Sequence, residues 1–196
     1  MAEQILDGEG TGSRAKVGSD KRLQVRAVSE AEVIHNAELG NAYNFNTGLI
    51  SITGDATLIY LKNNSDNNFI ITGIAIGAFD GITHSDSPYL TLVRNPTGGD
   101  LITEATAVSM NQNRNFGSSK TADADVYKGK VGGTLTGGDD IAILQCSKTS
   151  RSFFTIDFLL PKGSSVGVKL TANVSSGSAN WYGALIGYFK DDVDAQ

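Results

Sequence analysis

One cysteine, three prolines and two histidines among 196 residues remove several classes of protein before any motif is sought. With Cys146 alone no intrachain disulfide can form, and its setting, Ile141-Ala-Ile-Leu-Gln-Cys146, suits a buried small hydrophobe better than a reactive thiol. Charged residues make up only 19% of the chain and the net charge is −5, so no general affinity for nucleic acid is expected. No window approaches the roughly 20 apolar residues of a membrane-spanning helix. The opening Met-Ala-Glu-Gln-Ile-Leu-Asp lacks the basic and apolar regions of a secretory signal, so a soluble product made in a cytoplasm is expected.

What is present favours strands and turns. Hydrophobic residues are 40% of the chain and glycines number 23, while Asn, Ser and Thr are abundant throughout. From Leu49 onward the pattern is strand, turn, strand. Thr57-Leu-Ile-Tyr-Leu-Lys-Asn63 and Phe69-Ile-Ile-Thr-Gly-Ile-Ala-Ile76 flank a polar turn and form a hairpin candidate. Tyr89–Val93 precedes the turn signal Arg94-Asn-Pro-Thr-Gly-Gly99, and residues 109–140 suggest long loops around short strands. In the last third the alternation is clear. Phe154, Ile156, Phe158 and Leu160 share one face, as do Val166, Val168, Leu170, Ala172 and Val174, and Tyr182, Ala184, Ile186 and Tyr188 share another. Eight or so strands without intervening helical patterns predict an all-β, antiparallel β-sandwich, with a jelly roll as one version.

Residues 1–48 differ from the rest and predict an extended N-terminal arm. Asp7-Gly-Glu-Gly-Thr-Gly-Ser13 has no apolar residue to bury. Arg14, Lys16, Lys21, Arg22 and Arg26 gather basic charge, and Lys21–Val28 alternates: Leu23, Val25 and Ala27 fall on one face, Arg22, Gln24 and Arg26 on the other. That two-faced pattern suits strand addition onto an acidic protein surface; an edge strand of the domain itself and a nucleic-acid arm are the alternatives. Ser29-Glu-Ala-Glu32 fits a capping box that starts a short helix through Ala37, with continued extended chain as the other option. Asn41–Gly48 is expected to be a loop with Tyr43 and Phe45 as aromatic anchors for a partner. The expected parts are therefore an arm at 1–48, a sandwich at 49–190 and an acidic tail at 191–196.

No catalytic constellation can be assembled, so a non-enzymatic protein without cofactor or metal is expected. His84 lies between Asp80 and Asp86, but no second His or Cys with ligand spacing is near it, and His35 sits in the arm. No Gly-x-Ser-x-Gly elbow and no lysine-completed phosphate loop occurs. Asp139-Asp140 suits a solvated turn better than a calcium loop. Trp181, Tyr182, Tyr188 and Tyr89 are candidates for stacking on a sugar, with core packing as the plainer reading.

The run Gly12-Ser-Arg-Ala-Lys-Val17, Lys21–Glu30, Tyr43-Asn-Phe-Asn-Thr-Gly48 and Ile59-Tyr-Leu-Lys-Asn-Asn64 resembles the opening of virion proteins of tailed bacteriophages. The likeness covers about the first seventy residues. It implies a capsid decoration (cement) protein: a homotrimer on the outside of the head shell, in contact with the major capsid protein through the arm. On this reading the partner-binding residues are Arg14, Lys16, Arg22, Leu23, Val25, Arg26, Tyr43 and Phe45. A tail, fibre or receptor-binding component with a glycan-binding sandwich is the alternative.

Overall fold

A computed structural model describes residues 32–79, 82–103, 106–147 and 151–190. In chain order the elements are α1 (Glu32–Glu38), β1 (Ala42–Asn46), β2 (Ile50–Ile52), β3 (Ala56–Asn63), β4 (Phe69–Phe79), β5 (Ile82–His84), β6 (Tyr89–Arg94), β7 (Gly98–Gly99), α2 (Asp100–Thr103), β8 (Thr106–Ala107), β9 (Ala124–Lys128), β10 (Leu135–Thr136), β11 (Asp139–Gln145), β12 (Ser152–Leu160), β13 (Ser165–Thr171), β14 (Val174–Gly177) and β15 (Ala179–Phe189). Two sheets carry the core. One runs β1-β15-β4-β12, with β2 also on β15, and the other runs β11-β6-β13-β3-β9-β8.

The pairings reveal the topology. Strands β1·β15, β3·β13, β4·β12 and β6·β11 are all antiparallel. The chain is thus one long hairpin whose tip lies between β6 and β11, rolled so that successive strands pass between two packed sheets. That is a jelly roll. The insertion at the tip contributes β9, which extends the second sheet beyond β3, and β8 beside it.

The alternation expected for the last third holds. Val166, Val168 and Leu170 are buried, and in β15 the core side is Trp181, Leu185 and Phe189, opposite the Tyr182 face. Trp181, Phe45, Phe69, Ile74, Leu61 and Leu92 are among the side chains sealed between the sheets. Close packing also fixes glycine at position 187, where a Cβ would meet the Ile70 carbonyl and, at 2.7 Å, the Phe69 ring.

Two expectations are corrected. The segments 57–63 and 69–76 do not form a hairpin: β3 pairs with β13 and β9 in one sheet, β4 with β15 and β12 in the other. The turn between them is a crossover held by Asn63, whose Nδ2 donates to the Asn67 and Leu160 carbonyls at 2.9 Å while its Oδ1 accepts from Ser65 N–H. Secondly, Asn41–Gly48 is not a loop in an arm. Residues 42–46 are a sandwich strand paired with β15, so the domain begins before Leu49. Helix α1 precedes it and ends at Glu38, followed by a turn through Gly40 (φ 74°) in which Asn41 N–H reaches the Asn36 carbonyl at 2.7 Å.

Candidate docking surface

A sandwich of open sheets has strand edges to manage, because unpaired N–H and C=O groups invite another chain. One side of this jelly roll manages them. Along β1, the loop after Met110 supplies backbone partners: Asn44 N–H donates to Gln112 O at 2.9 Å, and Arg114 N–H to Ala42 O at 2.8 Å. The Gln112 side chain also receives Asn46 N–H and donates back to Asn46 O. Buried Asn113 fixes the loop, donating to Gly40 O at 2.7 Å and accepting from Asn115 N–H. In the other sheet, β8 and the Val108 N–H bond to Val126 O at 2.8 Å cover β9.

The opposite side is different. Strands β11 and β12 are the last of their sheets, and no further strand joins them among the described residues. Their large apolar side chains face outward: Ile143 is 69% exposed, Leu159 56%, Phe153 52% and Ile141 39%. Even their inward row, Leu144, Phe154, Ile156 and Phe158, is only half-buried. Between the two strands lies a cleft of about 450 Å³, bounded by Ile141, Phe158, Leu160 and Val166 and rimmed by Arg94 and Asp157.

Charge near this side is arranged in pairs. Asp139 bonds Arg94 at 2.6 Å and Asp140 bonds Lys169 at 3.3 Å, which makes the expected solvated turn a pair of surface ion pairs. Asp157 is exposed on the outer row of β12. Its field reaches Tyr188, whose phenol is raised above the ordinary range first by burial, then by Glu32 and by Asp157.

Of the residues expected to bind a partner, Arg14, Lys16, Arg22, Leu23, Val25 and Arg26 lie outside the described residues. Tyr43 and Phe45 are corrected: they are 2% and 0% exposed, stacked on each other with centroids 5.6 Å apart, and packed against Phe189 and Phe69. They seal the core and offer no surface to a partner. Burial pushes the Tyr43 phenol up, with an Asn113 hydrogen bond opposing. Two of the four sugar-stacking candidates are likewise withdrawn from solvent, Trp181 at 1% and Tyr188 at 7% exposure. Cys146 is buried, and burial lifts its thiol to about 11. The open β11 and β12 side was not singled out from sequence, although Phe153-Phe154 and Leu159-Leu160 put apolar residues on both faces of one strand.

Among the described residues no group of three or more His, Cys, Asp or Glu is placed to hold a metal ion, and no helix is long and apolar enough to cross a membrane. No family model matches the chain, and no curated protein matches it. Among solved structures, the chain is similar to one in the cyanophage Pam1 capsid asymmetric unit, with 16% identity, 88% of this chain and 96% of that chain covered, and a TM-score of 0.28. A likeness to the D431N mutant VP2 protein of infectious bursal disease virus, from T=1 particles, has 11% identity, covers 80% of this chain and 40% of that one, and has a TM-score of 0.13. At such TM-scores neither superposition carries weight; the fold stands on its own strand pairings.

Proposed function

We propose that the chain is a structural protein of a tailed-phage virion, and within it a capsid decoration protein that sits on the outside of the head shell. The observation that carries this reading is the open β11 and β12 side. A protein that acts alone in solution blunts its sheet edges and keeps large apolar side chains apart. Here, among the described residues, two neighbouring strands end their sheets without a further partner strand and carry four exposed large apolar residues, which suits a subunit of an assembly. The N-terminal sequence suits the same role. Arg14, Lys16, Arg22 and Arg26 provide cationic contacts for an acidic protein surface, and an extended segment covers far more partner surface than a compact domain does.

The partner on this reading is the major capsid protein, and closed threefold symmetry among copies adds avidity without new kinds of contact. Clamps between neighbouring capsomers oppose the outward pressure of packaged DNA. The test is DNA release on heating. Heads of the parent phage lacking this chain, once purified full-length protein is added, should release their DNA at a temperature several degrees higher. An unchanged release temperature with the protein bound would remove the stabilising role.

A further inference from the structure

We propose that β12 pairs with β12 of a second copy of this chain across a twofold axis, so that the two β1-β15-β4-β12 sheets run together as one. The inference concerns a contact between copies. It is separate from any threefold contact and stands whether or not the particle is a phage head.

The residues of β12 select this partner. The strand ends its sheet among the described residues, and since β12 occurs once per chain, a copy of it comes only from another molecule. Two such strands related by a twofold axis perpendicular to the sheet run antiparallel, and each side chain keeps its own face. Residues directly opposite must then share a face, so the axis passes through a residue and not between two. The midpoint of Ser152–Leu160 is Ile156. About that residue the strand reads alike in both directions. On the outer row Phe153 meets Leu159 of the second copy, and Thr155 meets Asp157 of the second copy. On the inward row Phe154 meets Phe158, and Ile156 meets itself. Apolar residues therefore face apolar ones, and each Asp157 carboxylate faces a threonine hydroxyl that can donate to it.

Neighbouring registers fail. An axis through Asp157 sets two carboxylates against each other, and one through Thr155 sets Asp157 against Phe153. Only the axis through Ile156 pairs all nine residues.

Burial points the same way. The inward row of Phe154, Ile156 and Phe158 packs on the core yet stays half-buried, and Phe153 and Leu159 are exposed on the other face. A strand laid alongside covers both rows at once. Ile141 of β11 lines the same cleft as Leu159, so the end of the second sheet adds apolar surface to the contact. Against β4 the strand carries a bulge between Thr155 and Phe158. A bulge bends an edge and disfavours a straight incoming strand. Here it falls at the axis, so both strands bend alike and the pairs on either side stay matched by symmetry.

Two measurements on the full chain test the proposal. In sedimentation equilibrium the wild-type chain should be a dimer, or an even multiple of one. Thr155→Asp places two pairs of carboxylates face to face across the axis and should weaken the dimer at least tenfold at low salt. Thr155→Lys places two ion pairs there and should tighten it. Position 155 is exposed, so both variants should keep the circular dichroism spectrum and cooperative unfolding of the sandwich. For register, chains carrying Thr155→Cys are mixed with chains carrying Asp157→Cys and oxidised; Cys146, buried, stays out of the reaction. The expected product is a covalent dimer joining the two kinds of chain, in excess over dimers of either kind alone. A wild type that is a monomer or a trimer, a dimer indifferent to charge at position 155, or cross-links mainly between chains of one kind would each overturn the proposal.

Discussion

At the scale of single residues, the polar positions explain most of what the strand pattern leaves open. Asn63, fully buried, satisfies three backbone groups at the crossover, and Asn113 pins the loop that closes the β1 edge. Neither role is legible in sequence, because an asparagine between strands looks like any turn residue. Cys146 was legible: an apolar run around one cysteine signals burial, and it is buried. Its thiol titrates near 11 because the thiolate is disfavoured without solvent. The folded state thus holds its proton more tightly than the unfolded chain. The resulting stability is complete below the ordinary thiol range, and falls as pH climbs toward 11. Urea unfolding from pH 8 to 11 should therefore show a loss of stability that is smaller in Cys146→Ala, with a remaining loss from the raised Tyr43 and Tyr188 phenols. Equal losses in both proteins would show the thiol to be solvated.

At the scale of elements, strands were legible and their partners were not. Period-two alternation specifies which side chains share a face, and it placed Phe154, Ile156, Phe158 and Leu160 together correctly. It does not specify which strand lies alongside. So the turn at 64–68 looked like a hairpin although it joins the two sheets. The same limit applies to β1, whose asparagines at 44 and 46 suggested a loop. They point outward, while Tyr43 and Phe45, which alternate with them, point into the core. The consequence is measurable. Phe45→Ala should cost about 3–5 kcal/mol in urea unfolding, as for a large buried aromatic. A loss below about 1 kcal/mol would restore residues 42–46 to a peripheral segment.

At the scale of the whole molecule, the jelly roll is asymmetric in how it finishes its sheets. One side is closed by the Gln112 loop and by β8; the other exposes Ile141, Ile143, Phe153 and Leu159, of which Ile141 and Leu159 line a cleft. The sandwich class followed from strand count and from the lack of helical patterns, whereas the open side depends on which strands end each sheet, a property of topology rather than of any local pattern. On the proposed reading, the basic stretch at residues 14–26 is a second means of attachment beside that open side. Co-sedimentation with heads that lack the chain tests the attachment most directly. The full-length protein should pellet with the heads at saturable stoichiometry, and Arg14→Glu with Lys16→Glu should bind at least tenfold more weakly at low salt. Full-length protein that stays in the supernatant at every concentration would contradict the decoration role.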